Sequence, residues 1–336
     1  MKRKYYRRLV SFMAFLLIIS SLNGQAIAQG LVNGSDEEWS FSAFGGNTSA
    51  ERNPEPEAVD NGITLTATGG KISSSDEGMS FYFKEVPADT NFELRAKAKV
   101  ISFNSNGSIS TPNQKSFGLM LKDEIGSHRD SSTHTSSYMA IGALDTVMKG
   151  FNKKGTQTKL ETFSENAVPL SGEVYDLSIK KSGETYVLTS NGESEIVTIE
   201  ELFSDQLFAG IYVARDAEVV FQDLEIVIDD RQVNELFIND SEMKKEYLIG
   251  ESLNLQGLAV TVVFEGGEER LLTEDEYIVS GFDSITPGPN TVTIHFLGAS
   301  STLDITILSL NITAVDIIYF QLKQFIMWEI LLMQKE

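Results

Sequence analysis

The sequence predicts an all-β chain built as two sandwiches in series, a larger one and then a smaller one. Apolar and polar residues alternate with a period of two in many short runs. These runs are separated by turn pairs such as Ser182-Gly183, Asn191-Gly192 and Gly266-Gly267, and helical periodicity is almost absent. A polar junction at Asp229-Asp230-Arg231 divides the pattern.

The chain opens with Lys2, Arg3, Lys4, Arg7 and Arg8, an apolar run over 9–22, and a small-residue site, Ala26-Ile27-Ala28, ahead of Gln29. Residues 1–28 therefore read as a secretory signal peptide cleaved after Ala28, and the mature chain is expected to be extracellular. The apolar run is shorter than the ~20 residues of a spanning helix, so no stable membrane span is expected after cleavage. Cleavage removes five of the 27 basic residues and none of the 48 acidic ones, which leaves 22 bases against 48 acids and a charge of −26. Such a field repels polyanions over a Debye length of ~10 Å and argues against nucleic acid as a partner. No cysteine is present. Stability must then come from core burial, without disulfides.

The first module is placed at 29–228. Runs over 62–67, 80–83, 92–100, 117–121, 138–143, 175–179, 186–189, 208–213 and 219–228 read as strands, most with one buried face. One short helix is expected over 198–203. Nine or more strands with so little helix imply a β-sandwich.

Three stretches in this module carry a resemblance: Trp39-Ser40-Phe41-Ser42-Ala43-Phe44-Gly45, Ser116-Phe117-Gly118-Leu119-Met120-Leu121-Lys122-Asp123, and Phe208-Ala209-Gly210-Ile211-Tyr212-Val213-Ala214-Arg215 with Val220-Phe221-Gln222-Asp223-Leu224. With the strand order they resemble a concanavalin-like jelly roll, and in particular the N-terminal module of bacterial exo-acting pectate lyases. The resemblance implies an ancillary, lectin-like sandwich, with the cutting done by a parallel β-helix elsewhere.

Jelly-roll glycoside hydrolases place paired carboxylates at Glu-x-Asp-x-Glu or Glu-x-Asp-x-x-Glu spacing so that they flank one glycosidic bond. No stretch here fits. Asp223 with Glu225, and Glu173 with Asp176, read as solvated strand or turn acids. Gly-x-Ser-x-Gly, His-Glu-x-x-His and EF-hand patterns are missing as well. His128 and His134 lie in a Ser/Thr-rich stretch over 127–137 that reads as a mobile loop, and two histidines without a third ligand make a poor metal site. His295 reads as a surface histidine. No catalytic residue is assigned.

Binding candidates come from the few clustered cations. Arg95, Lys97 and Lys99 alternate with Leu94, Ala96 and Ala98, which puts three cations on one strand face at about 7 Å spacing. Lys149, Lys153, Lys154 and Lys159 surround Phe151. A cationic strip with an aromatic platform suits a chain bearing one carboxylate per sugar, as polygalacturonate does. The plainer reading is a solvated strand face and a basic hairpin. Trp39 reads either as a sugar-stacking platform or as an edge-strand core residue. No cofactor is assigned, although bound calcium could bridge acidic protein to acidic sugar.

The second module is placed at 229–309. The run Tyr247-Leu248-Ile249-Gly250-Glu251 through Val260-Thr261-Val262-Val263-Phe264 resembles a bacterial Ig-like domain of the cell-surface type. Pro287-Gly288-Pro289-Asn290 reads as a turn before the strand that opens at Thr291. About 80 residues suffice for a seven-strand sandwich. No site is assigned to it, since fold alone gives no function.

Residues 310–336 match neither module. Asp316, Lys323 and Glu329 interrupt their apolar character, so a membrane anchor there would bury costly charges. This tail is read either as the product of a reading-frame change or early stop, with the catalytic domain missing, or as a genuine but unusual C-terminal helix. The expectation is a secreted, noncatalytic, truncated pectate lyase fragment that targets plant cell-wall polysaccharide. The alternative is a cell-surface adhesion or scaffold protein.

Overall fold

The computed structural model describes residues 39–73, 75–103, 114–155, 161–165 (as backbone), 169–203, 206–229 and 231–309. The signal peptide with its cleavage site, Lys159 and the 310–336 tail lie outside the described residues.

Fifteen strands form the first sandwich: β1 (Ser40–Gly45), β2 (Glu57–Val59), β3 (Gly62–Ala67), β4 (Lys71–Ile72), β5 (Glu77–Pro87), β6 (Asn91–Phe103), β7 (Ser116–Lys122), β8 (Tyr138–Leu144), β9 (Val147–Lys153), β10 (Glu161–Glu165), β11 (Val174–Ser182), β12 (Thr185–Ser190), β13 (Glu193–Thr198), β14 (Gln206–Ala214) and β15 (Ala217–Asp229). An eight-stranded sheet runs β1-β5-β14-β7-β8-β9-β10, with β4 added to β5. A seven-stranded sheet runs β13-β12-β11-β6-β15-β3-β2. The crossovers between non-consecutive strands give the jelly-roll topology that the sequence predicts.

The smaller sheet shows clean alternation. In β6, Phe92, Leu94, Ala96, Ala98 and Val100 are buried while Arg95, Lys97 and Lys99 are exposed. The inward row joins Leu177 and Ile179 of β11, and Leu119, Leu121, Met139, Ile141, Ile211 and Val213 of the larger sheet, in the inter-sheet core.

The larger sheet behaves differently. All seven residues of β7 and all seven of β8 are buried. The residues of opposite parity, including Met79, Phe81, Met120, Tyr138, Ala140, Phe151 and Tyr212, form a second apolar cluster with Phe44. Both faces of the central strands are thus covered, which is why these strands read as continuous apolar runs. Gly118 and Gly142 face each other across β7 and β8, and a Cβ on either would stand less than 3 Å from the opposing backbone. That row has no room for any larger residue.

The expected helix over 198–203 is not formed. Residues through Thr198 belong to β13, with Val197 opposite Tyr186 and Thr198 opposite Thr185. A turn then brings Leu202 and Phe203 into the core. The β-branched run Val197-Thr198-Ile199 and its ladder partners outweigh the helix-favouring Glu200, Glu201 and Leu202.

Seven further strands follow: β16 (Val233–Asn239), β17 (Glu246–Leu248), β18 (Ala259–Phe264), β19 (Glu269–Leu271), β20 (Ile278–Ser280), β21 (Gly288–Phe296) and β22 (Ala299–Leu308). They form a three-stranded sheet, β16-β18-β19, and a four-stranded sheet, β17-β22-β21-β20, in which β17 is parallel to β22. Val260, Val262 and Phe264 alternate inward in β18. Gly266 and Gly267, at φ 111° and 82°, turn the chain into β19, as the sequence suggests. The turn expected at 287–290 lies slightly earlier. Asp283 Oδ1 accepts the backbone N–H of Ile285 at 2.9 Å and of Thr286 at 3.3 Å, and β21 already begins at Gly288. Pro289 is tolerated at the strand start, where a missing N–H costs little.

Candidate functional site

The basic strip of β6 lies on the solvent face of the smaller sheet, as alternation requires. Two of its three cations are already paired. Arg95 donates to Glu225 Oε2 from Nε at 3.1 Å and from Nη2 at 2.7 Å, and Lys97 Nζ lies 2.7 Å from Asp223 Oδ2. The acids reach the cations through a bulge in β15: register slips between Gln222 and Glu225, and Asp223 takes φ 52°. Asp176 stands opposite Lys97 on β11. Lys99 has no ion pair among the described residues. Asp223 and Glu225 therefore act as counter-charges to the strip. Their hydrogen bonds raise the Lys97 ammonium and the Arg95 guanidinium above their usual values.

The second basic group is on the other sheet, so the two do not form one surface. Lys149, Phe151 and Lys153 are buried on β9, and Phe151 belongs to the second apolar cluster. Phe151 is therefore no exposed platform. The physical reason is the segment 123–137, which lies against that face of the sheet. Among the described residues of this group Lys154 is the partly exposed one, and its ammonium donates to the Glu200 carbonyl at 2.6 Å.

Trp39 is half-buried against the inter-sheet core. Its indole stacks on Tyr82 with centroids 5.3 Å apart and planes 7° from parallel, and Lys84 Nζ sits 5.6 Å from the ring centre.

The 123–137 segment has no strand of its own, yet it is not a free loop. The Gly45 N–H donates to the Asp130 carbonyl at 2.8 Å, the Ala43 N–H to His128 Nδ1 at 3.0 Å, and the Glu77 N–H to the His134 carbonyl at 2.9 Å. Gly126 packs on Phe44 so tightly that a Cβ would meet the ring at 2.6 Å. His134 is edge-on to Phe44, with centroids 4.9 Å apart. Burial first, then the nearby Lys122 charge, lower its basicity. His295 in β21 is half-buried and bonded to Ser280 Oγ at 2.7 Å. Among the described residues no group of three His, Asp or Glu side chains could hold a metal ion.

Beneath this segment lies an ionic cluster that the sequence reading did not single out. The side chains of Glu77, Lys122 and Lys153 are all fully buried. Lys122 Nζ bonds Glu77 Oε2, and Lys153 Nζ lies 3.1 Å from Glu77 Oε1. Ser136 completes the cage: its N–H donates to Glu77 Oε1 at 2.8 Å, and its Oγ accepts Lys122 Nζ at 2.6 Å. Thr135 Oγ1 accepts Lys153 Nζ. The Tyr138 ring centre is 5.2 Å from Lys122 Nζ and 5.8 Å from Lys153 Nζ. Burial pushes the Glu77 carboxyl up, but the two ammoniums and the Ser136 N–H outweigh it and hold it below the usual glutamate value. Burial pushes the Tyr138 hydroxyl well above the usual tyrosine value.

Comparison with known proteins agrees with the module reading. Residues 42–166 match the family described as pectate disaccharide-lyase N-terminal domain, and residues 240–307 match bacterial Ig-like domain (group 3). Over 315 residues, 93% of this chain, the sequence is 45% identical to pectate lyase L of Thermoclostridium stercorarium. It is 28% identical over 113 residues, 32% of the chain, to pectate disaccharide-lyase of Dickeya chrysanthemi. The chain spans 25% of the first relative's length and 15% of the second's. Among solved structures, carbohydrate binding module CBM66 from Bacillus subtilis matches 56% of the chain and 94% of its own at 13% identity, with a TM-score of 0.34. Alginate lyase A1-II' matches 51% and 82% at 14% identity, with a TM-score of 0.37.

Proposed function

We propose that this chain, which carries a pectate disaccharide-lyase N-terminal domain ahead of a bacterial Ig-like domain, is the exported, noncatalytic accessory region of a pectate lyase. Its jelly roll targets the enzyme to polygalacturonate, and the Ig-like sandwich spaces it. The observation that carries this reading is the 45% identity to pectate lyase L, which runs through 93% of the chain and so spans both modules. Two physical features support it. The sequence lacks the paired carboxylates of a jelly-roll hydrolase, and Arg95, Lys97 and Lys99 line up on one exposed strand face of an otherwise acidic protein.

The test is retention of the purified chain on immobilised polygalacturonate against neutral galactan, with and without calcium. Unsaturated uronides are followed in the same samples. Selective retention without uronide release is the expected result. Equal retention on both polymers removes the targeting role, and uronide release removes the noncatalytic one.

A further inference from the structure

A buried ion cluster that only held two strands together would be expected to balance its charge, because an unmatched buried ion stays costly even after relaxation. The cluster under 123–137 does not balance. Lys122 and Lys153 bring two ammoniums, and Glu77 is the one carboxylate ion-paired with either of them among the described residues. The remaining acceptors are neutral hydroxyls, Ser136 Oγ on Lys122 and Thr135 Oγ1 on Lys153. Both belong to the overlying segment. The Tyr138 ring, centred 5.2 Å from Lys122 Nζ and 5.8 Å from Lys153 Nζ, carries a buried hydroxyl with no hydrogen-bond partner among the described residues. An unpaired buried hydroxyl is costly in turn.

One chemical group would correct all three deficits. A carboxylate supplies the missing negative charge, two oxygens for the ammoniums, and an acceptor for the Tyr138 hydroxyl. We infer that Lys122, Lys153 and Tyr138 form a carboxylate-binding subsite, closed in this structure by Thr135 and Ser136, that takes the carboxylate of a uronate residue. The choice of uronate rests on the function proposed above, whereas the carboxylate is read from the cluster alone. Ser136 Oγ and Thr135 Oγ1 are placeholders, occupying positions that the two ligand oxygens take when the segment lifts. Residues 131–133 next to them are exposed, and the segment is tied to Glu77, Lys122 and Lys153 by the Ser136 N–H, the His134 carbonyl and the two hydroxyls, of which a ligand replaces the two hydroxyls. Glu77 stays as the fixed counter-charge that holds both ammoniums in place.

Thermal unfolding of the full chain with D-galacturonate, and with galactose as the neutral control, tests this. Galacturonate should raise the unfolding temperature and galactose should not, since a ligand stabilises only the state it binds. Lys153→Met leaves one cation against one carboxylate, so the variant should fold at least as well as the parent and lose the galacturonate shift. Tyr138→Phe deletes only the unpaired hydroxyl and should weaken galacturonate by about tenfold without loss of stability. Equal shifts with both sugars, or a galacturonate shift retained in Lys153→Met, overturn the subsite. If circular dichroism shows Lys153→Met unfolded, Tyr138→Phe and Ser136→Ala decide: the first should weaken and the second should tighten the sugar, and unchanged affinity in both overturns the proposal. Retention on polygalacturonate with no monomer effect sinks the subsite and leaves targeting standing. A monomer shift without polymer retention does the reverse.

Discussion

Lys97 and Asp223 meet at 2.7 Å across a bulge that β15 introduces opposite β6. One residue further along the same face, Glu225 closes on Arg95 at 2.7 Å. The cationic strip is thus built together with its own counter-ions, and both pairs are about half exposed. Exposed pairs of this kind contribute little to folding, so the acids are dispensable for stability.

Replacing both acids, as Asp223→Asn with Glu225→Gln, should therefore leave the unfolding temperature nearly unchanged while unmasking two cations beside Lys99. If the strip is a docking face, retention on polygalacturonate at low salt should rise by about threefold, and the gain should fade as ionic strength shortens the ~10 Å Debye length. Affinity electrophoresis at two salt concentrations reads both effects. Unchanged migration at low salt assigns the strip to solvent alone.

Glu77→Gln makes the opposite kind of change, because it strands two buried ammoniums. Breaking a buried pair by removing one partner costs about 3–5 kcal/mol, and urea unfolding at neutral pH should show a loss of that size. The same carboxyl gives the acid limb its sign. Its folded value lies below the ordinary 4.5, so its contribution is complete above pH 4.5 and is lost as pH falls through the lowered value. In Glu77→Gln that part of the limb should be flatter. Adding Lys153→Met should recover stability, since it removes one stranded charge. A variant as stable as the parent would show that Glu77 is not the counter-charge that holds the cluster together.

The strip was legible in the sequence and the cluster was not, for a definite physical reason. Alternation of Leu94, Ala96 and Ala98 with Arg95, Lys97 and Lys99 fixes which residues share a face, and β6 follows it residue by residue. All nine strand runs read from alternation fall inside observed strands. Parity likewise places Lys122 with Met120 and Lys153 with Phe151. It cannot say that a segment 15 residues long folds over that face and removes it from water. The Ser/Thr-rich composition of 127–137 suggests a free loop, yet the Thr135 and Ser136 hydroxyls and the Ser136 amide are spent on Glu77, Lys122 and Lys153. The one available signal was the apolar character of the outward row, Met120, Tyr138, Ala140 and Phe151, which a solvated face would not carry.

Trp39 offers a choice between core and platform that stability can decide. Its ring is stacked on Tyr82 and half-buried, so Trp39→Ala should cost about 2 kcal/mol, below the full 3–5 kcal/mol of a wholly buried aromatic. Trp39→Phe should restore much of this. Below the lowered unfolding transition, Trp39→Ala should hold polygalacturonate as the parent does. A variant of parental stability that no longer binds would make Trp39 a sugar platform.

The Ig-like sandwich has its own acid-sensitive group in Glu276, which is pulled down to about 2. The Thr273 N–H, donating to Oε2 at 2.8 Å, is the largest cause, with partial burial opposing it and the Arg270 guanidinium and Thr273 hydroxyl assisting. Because the folded value lies below 4.5, the ionised carboxylate stabilises the fold above pH 4.5 and loses that effect as pH falls towards 2. Solvent reaches 29% of the side chain, so screening should reduce the contribution to about 1 kcal/mol. Glu276→Gln should lower stability by about that amount at neutral pH and bring the two unfolding curves together at pH 2. Measured by urea titration across that range, curves that stay parallel would mean that Glu276 caps its turn as well without charge as with it, leaving the acid limb to Glu77 and the remaining carboxylates.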